Sequence, residues 1–385
     1  MAPEPVQTPH RVLLACTGLG NERRGFETFT RDVAQALAAE PTLAVEVFAG
    51  GRDGHVPGEH VVANLPRRSR AAHRLGALLG RDPYFIEQGS FFVGLLPALA
   101  LRPPHLVYFA DLNLGNALWH WRRLTGARWR MLFYNGGNTT MPYTRCDHVQ
   151  QLTPAALDAA CARGERAERM TLLPHGVSLP PLVEPSTDAA RREARRAARV
   201  AIGLPVDREI LLSVGQLDRP TKRTDLLIEA VAALPTPRPF LLLVGADGPD
   251  GAGLRALATE RLGDGWGWRT EPRERMGLVY AAADTFALLS RGEGFGLAYV
   301  EALGAGLPLL AHDDATTAYV VGDAGLRRPI ATRDEAVAAI GALRALPTDA
   351  TAARTRHASV AERFGWATLA PRYVALLTRV ATGPI

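Results

Sequence analysis

A short apolar run, a glycine-bearing loop, an amphipathic helix and a second apolar run follow one another twice in this chain of 385 residues. Residues 11–17 (RVLLACT) end at Gly18-Leu19-Gly20, and residues 25–37 then set Phe26, Phe29, Val33, Ala34 and Leu37 at helical spacing. Residues 43–49 (LAVEVFA) form the next strand candidate. Strand, glycine loop, helix and strand open an α/β sheet. The series continues through 106–110, 131–134 and the less apolar 148–152. A helix from Pro154 and a strand at 171–173 run into Pro174-His175-Gly176-Val177.

The second series starts at 210–214 (ILLSV), then a loop at 215–223 and a helix at 225–234. It continues with strand 240–244, helix 252–262, strand 284–289, helix 297–305 and strand 307–311, and closes with helices at 333–346, 350–363 and 366–380. Between the two series, PPLVEPSTD and the basic helix RREARRAARVAIGLP make residues 180–205 the expected linker. The predicted class is α/β, with two halves of roughly 180 residues, as expected for a chain too long for one core. Ligands of such sheets sit at the carboxyl ends of the strands, which points to a cleft between the halves.

With 47% apolar and 22% charged residues, wholesale disorder is excluded. The longest apolar stretch, Phe91 to Leu101, is interrupted by Gly94 and Pro97 and falls short of the ~20 residues of a membrane span. The first ten residues lack the basic patch and apolar stretch of a secretory leader, so a soluble cytoplasmic protein is expected. Cys16, Cys146 and Cys161 have no metal-like spacing and read as buried thiols. The net charge of +5 is compatible with nucleic acid, anionic lipid or a phosphorylated ligand. Lys222 is the only lysine among 44 lysines and arginines. Such a residue is either a chance survivor or a place that needs a compact ammonium.

The most informative stretch is Ser290 to Ala302 (SRGEGFGLAYVEA). A strand ends, a glycine-rich loop follows and a helix begins near Leu297, which makes an anion site of backbone N–H groups. Glu293 in the loop and Glu301 about one turn into the helix present two carboxylates suited to sugar hydroxyls. Taken alone, the pair reads equally as a helix-start acid and a solvated glutamate.

EGFGLAYVE, two glutamates with seven residues between, resembles the E-x7-E motif of retaining GT-B glycosyltransferases, family 4 in particular. EALGAGLPLLAHD and VGQLDRPTKRTDLLIEAVAAL are similar to the segments that flank that family's donor site. GLGNERRGFETFTRDVAQAL resembles its first glycine loop, LLPHGV the close of its first domain, and FGWATLAPRYVALL its last helix. The resemblance implies two Rossmann-like domains facing across a cleft: 1–180 binding the acceptor, 181–365 binding the nucleotide sugar, and a helix at 366–385 crossing back to the first. It implies a UDP- or GDP-sugar donor, a hydroxyl acceptor, no resident cofactor and no metal. Lys222 and Glu293 take the catalytic positions, Lys222 beside the leaving diphosphate and Glu293 beside the donor sugar. Glu301 falls at the ribose, and Gly294, Phe295, Gly296, Leu297 and Ala298 at the sugar and the distal phosphate. Gln216, Gly25 and Asn135 complete the donor set.

Two positions depart from the family pattern. Gln216 stands where an arginine is usual, with Arg219 or Arg223 as candidates to compensate. Tyr134-Asn135-Gly136-Gly137-Asn138 stands where many members carry a histidine, and neither asparagine can act as a base. His148 reads as structural, and His175 as a turn residue or a ligand. His312-Asp313-Asp314 reads as a loop, and Arg269 or Thr270 as a reader of the nucleotide base. The arginines of residues 60–81 with Leu75, Leu78 and Leu79 suit either peripheral contact with anionic lipid at the inner membrane surface or a solvated face. Arg122, Arg123, Arg128 and Arg130, interleaved with Trp119, Trp121 and Trp129, read as a buried-tryptophan surface, with no nucleic-acid partner expected.

Other chemistries fit less well. A nucleotide-sugar epimerase needs clearer acid and base groups near Asn135, and a phosphorylase needs a second lysine for pyridoxal phosphate. A nicotinamide enzyme fails because Arg23 breaks G-x-G-x-x-G. A non-catalytic glycan- or nucleotide-binding protein would not need Lys222, Glu293 and Glu301 together.

Overall fold

The computed structural model describes residues 8–22, 25–137, 139–140, 142–179 and 187–383. Arg23, Asn138 and residues 180–186 of the expected linker lie outside the described residues. The chain divides into two compact units, residues 1–176 with 366–385, and residues 177–365.

The first unit opens with β1 (His10–Cys16), α1 (Gly25–Leu37), β2 (Leu43–Ala49) and β3 (Glu59–Val61). Helices α2 (Arg70–Leu79) and α3 (Pro83–Leu101) precede β4 (Leu106–Phe109), α4 (Leu112–Thr125) and β5 (Arg130–Asn135). Then come β6 (His148–Gln151), α5 (Pro154–Ala162) and β7 (Met170–Leu172). Among the described residues its parallel strands lie in the order β3-β2-β1-β4-β5-β6-β7, a doubly wound arrangement that reverses between β1 and β4. Alternate residues of the central strands, including Leu13, Val107, Phe109, Met131 and Phe133, join Phe91, Leu95 and Leu99 of α3 in one core.

Helix α3 differs from the sequence expectation. It runs through Gly94 and Pro97 for 19 residues and has the length and apolarity of a membrane span. The interruption fails for local reasons. Pro97 lies on the exposed side, where the carbonyl it frees can meet water. Gly94 lets residues 62–63 cross the helix, since a Cβ there would stand 2.5 Å from the Ala63 carbonyl oxygen. The inner face of α3 belongs to the core of this unit.

The second unit contains α6 (Asp188–Ala201), β8 (Ile210–Val214), α7 (Thr224–Ala233), β9 (Phe240–Val244) and α8 (Gly251–Leu262). It continues with β10 (Trp266–Arg269), α9 (Arg273–Ala282), β11 (Thr285–Leu288), α10 (Leu297–Gly304) and β12 (Leu309–His312). The last elements are α11 (Ala315–Val320), β13 (Leu326–Arg328), α12 (Arg333–Arg344) and α13 (Ala350–Phe364). The strand order β10-β9-β8-β11-β12-β13 repeats the first unit's topology and reverses between β8 and β11. Helix α6 is part of this unit, not a linker: Arg195 and Arg199 both bind Asp284, at 2.8 Å from Arg195 Nη1 to Oδ1, and Arg199 Nε donates to the Ala282 carbonyl at 2.9 Å.

The final helix, α14 (Trp366–Thr382), packs on α1, β1, β4 and β5 of the first unit. Its fully buried Tyr373 donates from the hydroxyl to the Pro174 carbonyl at 2.8 Å and accepts from Gln150 Nε2 at 2.9 Å. The same helix meets His148, whose Nε2 lies 2.7 Å from Thr171 Oγ1 and 3.4 Å from Arg379 Nη2. Burial, then the neighbouring cations Arg379 and Arg169, push the His148 pKa down from 6.5 to about 4. The unfolded chain therefore takes up this proton first, and stability falls with pH from about 6.5 to about 4. Compared with wild type, a His148→Gln variant is expected to gain on the order of 2 kcal/mol between pH 7.5 and 4.5, allowing for solvent screening. Paired urea melts at the two pH values check this; an unchanged difference would contradict it.

Candidate donor site at the carboxyl end of the second sheet

Strands β8 and β11 pair in parallel at the point where the strand order of the second unit reverses. Ligands of open α/β sheets bind at the loops that leave the carboxyl ends of strands at such a point. Lys222 lies in the first loop and Glu293 in the second, and the Lys222 ammonium donates to Glu293 Oε1. The two positions are 71 residues apart in sequence. Both side chains are largely buried while keeping some contact with solvent.

Three local features hold Lys222 there. Asp218 Oδ1 accepts from the backbone N–H of Thr221 at 2.8 Å and of Lys222 at 2.7 Å, which closes the turn. Arg223, next in the chain, takes the left-handed φ of 54°, and its Nη1 donates to the Ile330 carbonyl at 2.7 Å. Gly215 gives the lysine stem room, since a Cβ there would stand 3.2 Å from Lys222 Cε. The Thr221 carbonyl accepts from Arg291 N at 2.9 Å and from Ser290 Oγ at 3.2 Å, tying the lysine loop to the glutamate loop.

Beyond Glu293 the chain enters α10 through Gly296, at φ 82° with no side-chain cap. Tyr299 N donates to the Gly296 carbonyl at 3.0 Å, so the N–H groups of Leu297 and Ala298 are the ones this turn can offer a ligand or water. Gly294, Gly296, Leu297 and Ala298 line this entry, and Phe295 turns into the core, edge-on to Phe364 at 5.3 Å between centroids. Only the backbone of Phe295 serves the loop.

Glu301 sits on α10 against α9. Its Oε2 accepts from the Tyr280 hydroxyl at 2.7 Å, and Arg273 Nη1 lies 3.6 Å from Oε1. Burial raises its pKa, opposed by Arg273 and by the tyrosine hydrogen bond. Tyr280 and Arg273 carry no local sequence signal; both reach Glu301 from α9 through side-chain contacts between residues distant in sequence.

The remaining predicted positions separate. Gln216 is exposed in the loop after β8. The two arginines named to compensate for it engage other partners: Arg219 Nη1 lies 3.4 Å from Asp225, and Arg223 donates to the backbone at 330 and 331. Arg269 donates to the Ile202 carbonyl and the Thr270 hydroxyl to the Gly245 carbonyl, so both proposed base readers hold backbone. Asp313 pairs with Arg327, and Asp314 caps α11.

Gly25 and Asn135 belong to the first unit. Gly25 is the exposed first residue of α1. Asn135 is buried at the end of β5; Nδ2 donates to the Tyr143 hydroxyl and to Gln151 Oε1, each at 2.8 Å, and Oδ1 accepts from Thr139 N. Both of its donor hydrogens are therefore committed within the protein. His175 is buried edge-on to Phe29, its Nδ1 3.0 Å from the Tyr134 hydroxyl. Trp129 is buried, while Trp119 and Trp121 pack against the core of this unit.

Two doubly wound parallel units, one carrying a glycine-rich loop at its switch point, define the GT-B architecture. The overall fold is similar to that of HepE from Anabaena in complex with UDP-glucose, with a TM-score of 0.73 and 18% identity over 96% of this chain and 99% of that one. Sucrose-phosphate synthase from Thermosynechococcus elongatus gives a TM-score of 0.75 and 22% identity over 96% and 98%. In sequence, residues 194–357 match the glycosyl transferases group 1 family. The D-inositol 3-phosphate glycosyltransferase of Kineococcus radiotolerans is 31% identical, covering 93% of this chain and 90% of that protein. The protein of the same name from Mycolicibacterium paratuberculosis is 35% identical over 46% of this chain, and the match spans only 42% of that protein. The chain belongs to the group 1 glycosyl transferases.

Proposed function

We propose that this protein is a retaining glycosyltransferase of family 4 that moves a hexose from a UDP- or GDP-sugar to a hydroxyl acceptor without a metal. The observation that carries this reading is the Lys222–Glu293 pair at the β8/β11 switch point, beside the uncapped start of α10. In the proposed reaction the bond from the anomeric carbon to the diphosphate breaks as the acceptor oxygen bonds on the same face. The departing phosphate oxygen takes the acceptor proton. The Lys222 ammonium and the N–H groups of α10 offset the negative charge that grows on the diphosphate. Glu293 contacts the donor sugar, and Glu301, steadied by Tyr280, accepts hydrogen bonds from the ribose hydroxyls.

The relatives' names make an inositol phosphate the first acceptor to test. A nucleotide-sugar epimerase is less well supported, because Asn135 is engaged by Tyr143, Gln151 and Thr139 and cannot exchange protons.

The test is a thermal-shift panel with UDP, GDP and ADP on wild type and Glu301→Ala. A nucleotide at ~100 times its dissociation constant stabilises by about 2.7 kcal/mol. A shift with UDP or GDP that Glu301→Ala removes supports the reading and names the base. No shift with any of the three would overturn it. The anomeric configuration of the product, read by NMR, tests retention separately.

A further inference from the structure

One residue beside the donor site takes a conformation that its side chain discourages. Among the described residues Arg223 is the only one other than glycine with a positive φ, 54°. Left-handed backbone is unfavourable for a residue with a Cβ and easy for glycine. The side chain is unfavourable too: Arg223 is 8% exposed, and among the described residues no carboxylate pairs with its guanidinium. Burial, then the nearby Arg291, pull its pKa down. Local strain of this kind persists where the surrounding structure imposes it, and it clusters at functional sites.

What the guanidinium holds is specific. Nη1 donates to the Ile330 carbonyl at 2.7 Å and Nη2 to the Ala331 carbonyl at 3.3 Å, across 107 and 108 residues of sequence. The Ile330 carbonyl also accepts from Nη2 of Arg291 at 3.4 Å. Ile330 is itself fully buried, and its N–H donates to Nδ1 of His312, at the end of β12, at 3.1 Å. One fixed residue thus takes a guanidinium from each of the two loops that meet in the site. Arg223 follows Lys222 directly, and Arg291 lies two residues before Glu293. Asp218 accepts from the N–H groups of residues 221, 222 and 224, so the turn is held on both sides of 223. The side chain of 223 then anchors that turn to the rest of the unit, through charged donors that make the stronger hydrogen bonds.

We propose that Arg223 is a positioning residue: by holding residues 330 and 331 it fixes where the Lys222 ammonium stands relative to Glu293. Its consequence for the rate rests on the donor-site reading; its consequence for the placement of Lys222 does not. Arg223→Gly separates grip from backbone, because glycine accepts the same φ and loses only the side chain.

Lys222 is the only lysine in the chain, so protein made with lysine labelled with carbon-13 at Cε gives one side-chain NMR signal, with no ligand needed. In wild type, Glu293→Gln should move that signal, because the ammonium loses its carboxylate. In Arg223→Gly the signal should already stand near that of an exposed lysine, and adding Glu293→Gln should leave it in place. Arg223→Asn, which also tolerates left-handed backbone, should match the glycine variant, and urea unfolding shows that each variant folds. With a donor chosen from the nucleotide panel, both variants should lower kcat by ~10–100-fold and leave the donor KM nearly unchanged, since a displacement of about 1 Å costs up to about 100-fold. An Arg223→Gly protein whose lysine signal matches wild type, and answers Glu293→Gln as wild type does, would overturn the proposal. So would a wild-type signal that Glu293→Gln leaves in place. If wild type transfers no sugar, the kinetic comparison falls with the donor-site reading and the lysine signal decides.

Discussion

Lys222→Met is expected to slow glycosyl transfer by ~100–1000-fold, the usual consequence of removing one preorganised group that faces developing negative charge. The lysine is fixed before any ligand arrives. Asp218 shapes its turn, Gly215 accommodates its stem and Glu293 receives its ammonium. Losing the charge removes an interaction that strengthens as the diphosphate departs, so the rate should fall more than donor affinity does. Lys222→Arg should recover only part of the loss, because a planar fork does not fill the space of a compact ammonium against Gly215. Single-turnover transfer, with the donor chosen from the nucleotide panel, measures the effect. Wild-type rates should be the same with and without EDTA. A Lys222→Met enzyme within a few-fold of wild type, or a wild-type enzyme that EDTA silences and magnesium restores, would remove the proposed mechanism.

Gly296→Ala should do its damage through the backbone. Gly296 has φ 82°, and an added Cβ would lie 2.4 Å from Cδ2 of the Tyr299 ring. Tyr299 is fully buried, with its hydroxyl donating to the Leu288 carbonyl at 3.2 Å, so the ring cannot move aside without disturbing the end of β11. Left-handed backbone costs an alanine about 1–2 kcal/mol, and displacing a packed side chain about 1–3 kcal/mol more. The expected result is a loss of roughly 2–5 kcal/mol in urea unfolding and loss of nucleotide binding. Gly292→Ala is the control: its φ is 76°, but nothing lies within 4 Å of the added Cβ. It should show the backbone cost alone. Equal stability of the two variants would mean that the contact with Tyr299 is not what requires glycine at 296.

Much of the fold was legible because its signals are short-ranged. Buried parallel strands such as Phe240–Val244 are continuous apolar runs, and α1 shows its helical period directly. Elements without such a signal were missed. Strand β3 is three residues of edge strand, Glu59–Val61, with no apolar run to mark it. Helix α3 is apolar nearly all round, so its glycine and proline read as interruptions until the packing showed one against a crossing loop and the other facing water. The basic residues 188–201 read as a linker helix because nothing local shows that two of the arginines meet Asp284.

The sequence by itself determined the two α/β series and the glycine loop before α10, because each is written in neighbouring residues; Lys222, Glu293 and Glu301 came together as a set only through the resemblance of their segments to a family. The tertiary structure alone decided which of these meet. Strand order sets β8 beside β11 and so joins Lys222 to Glu293 across 71 residues. The tertiary fold brings Tyr280 of α9 to Glu301, and the burial of β5 commits the asparagine at 135 to its own unit. Periodicity reports which face of an element is buried, and it carries no information about which distant side chain will be found there.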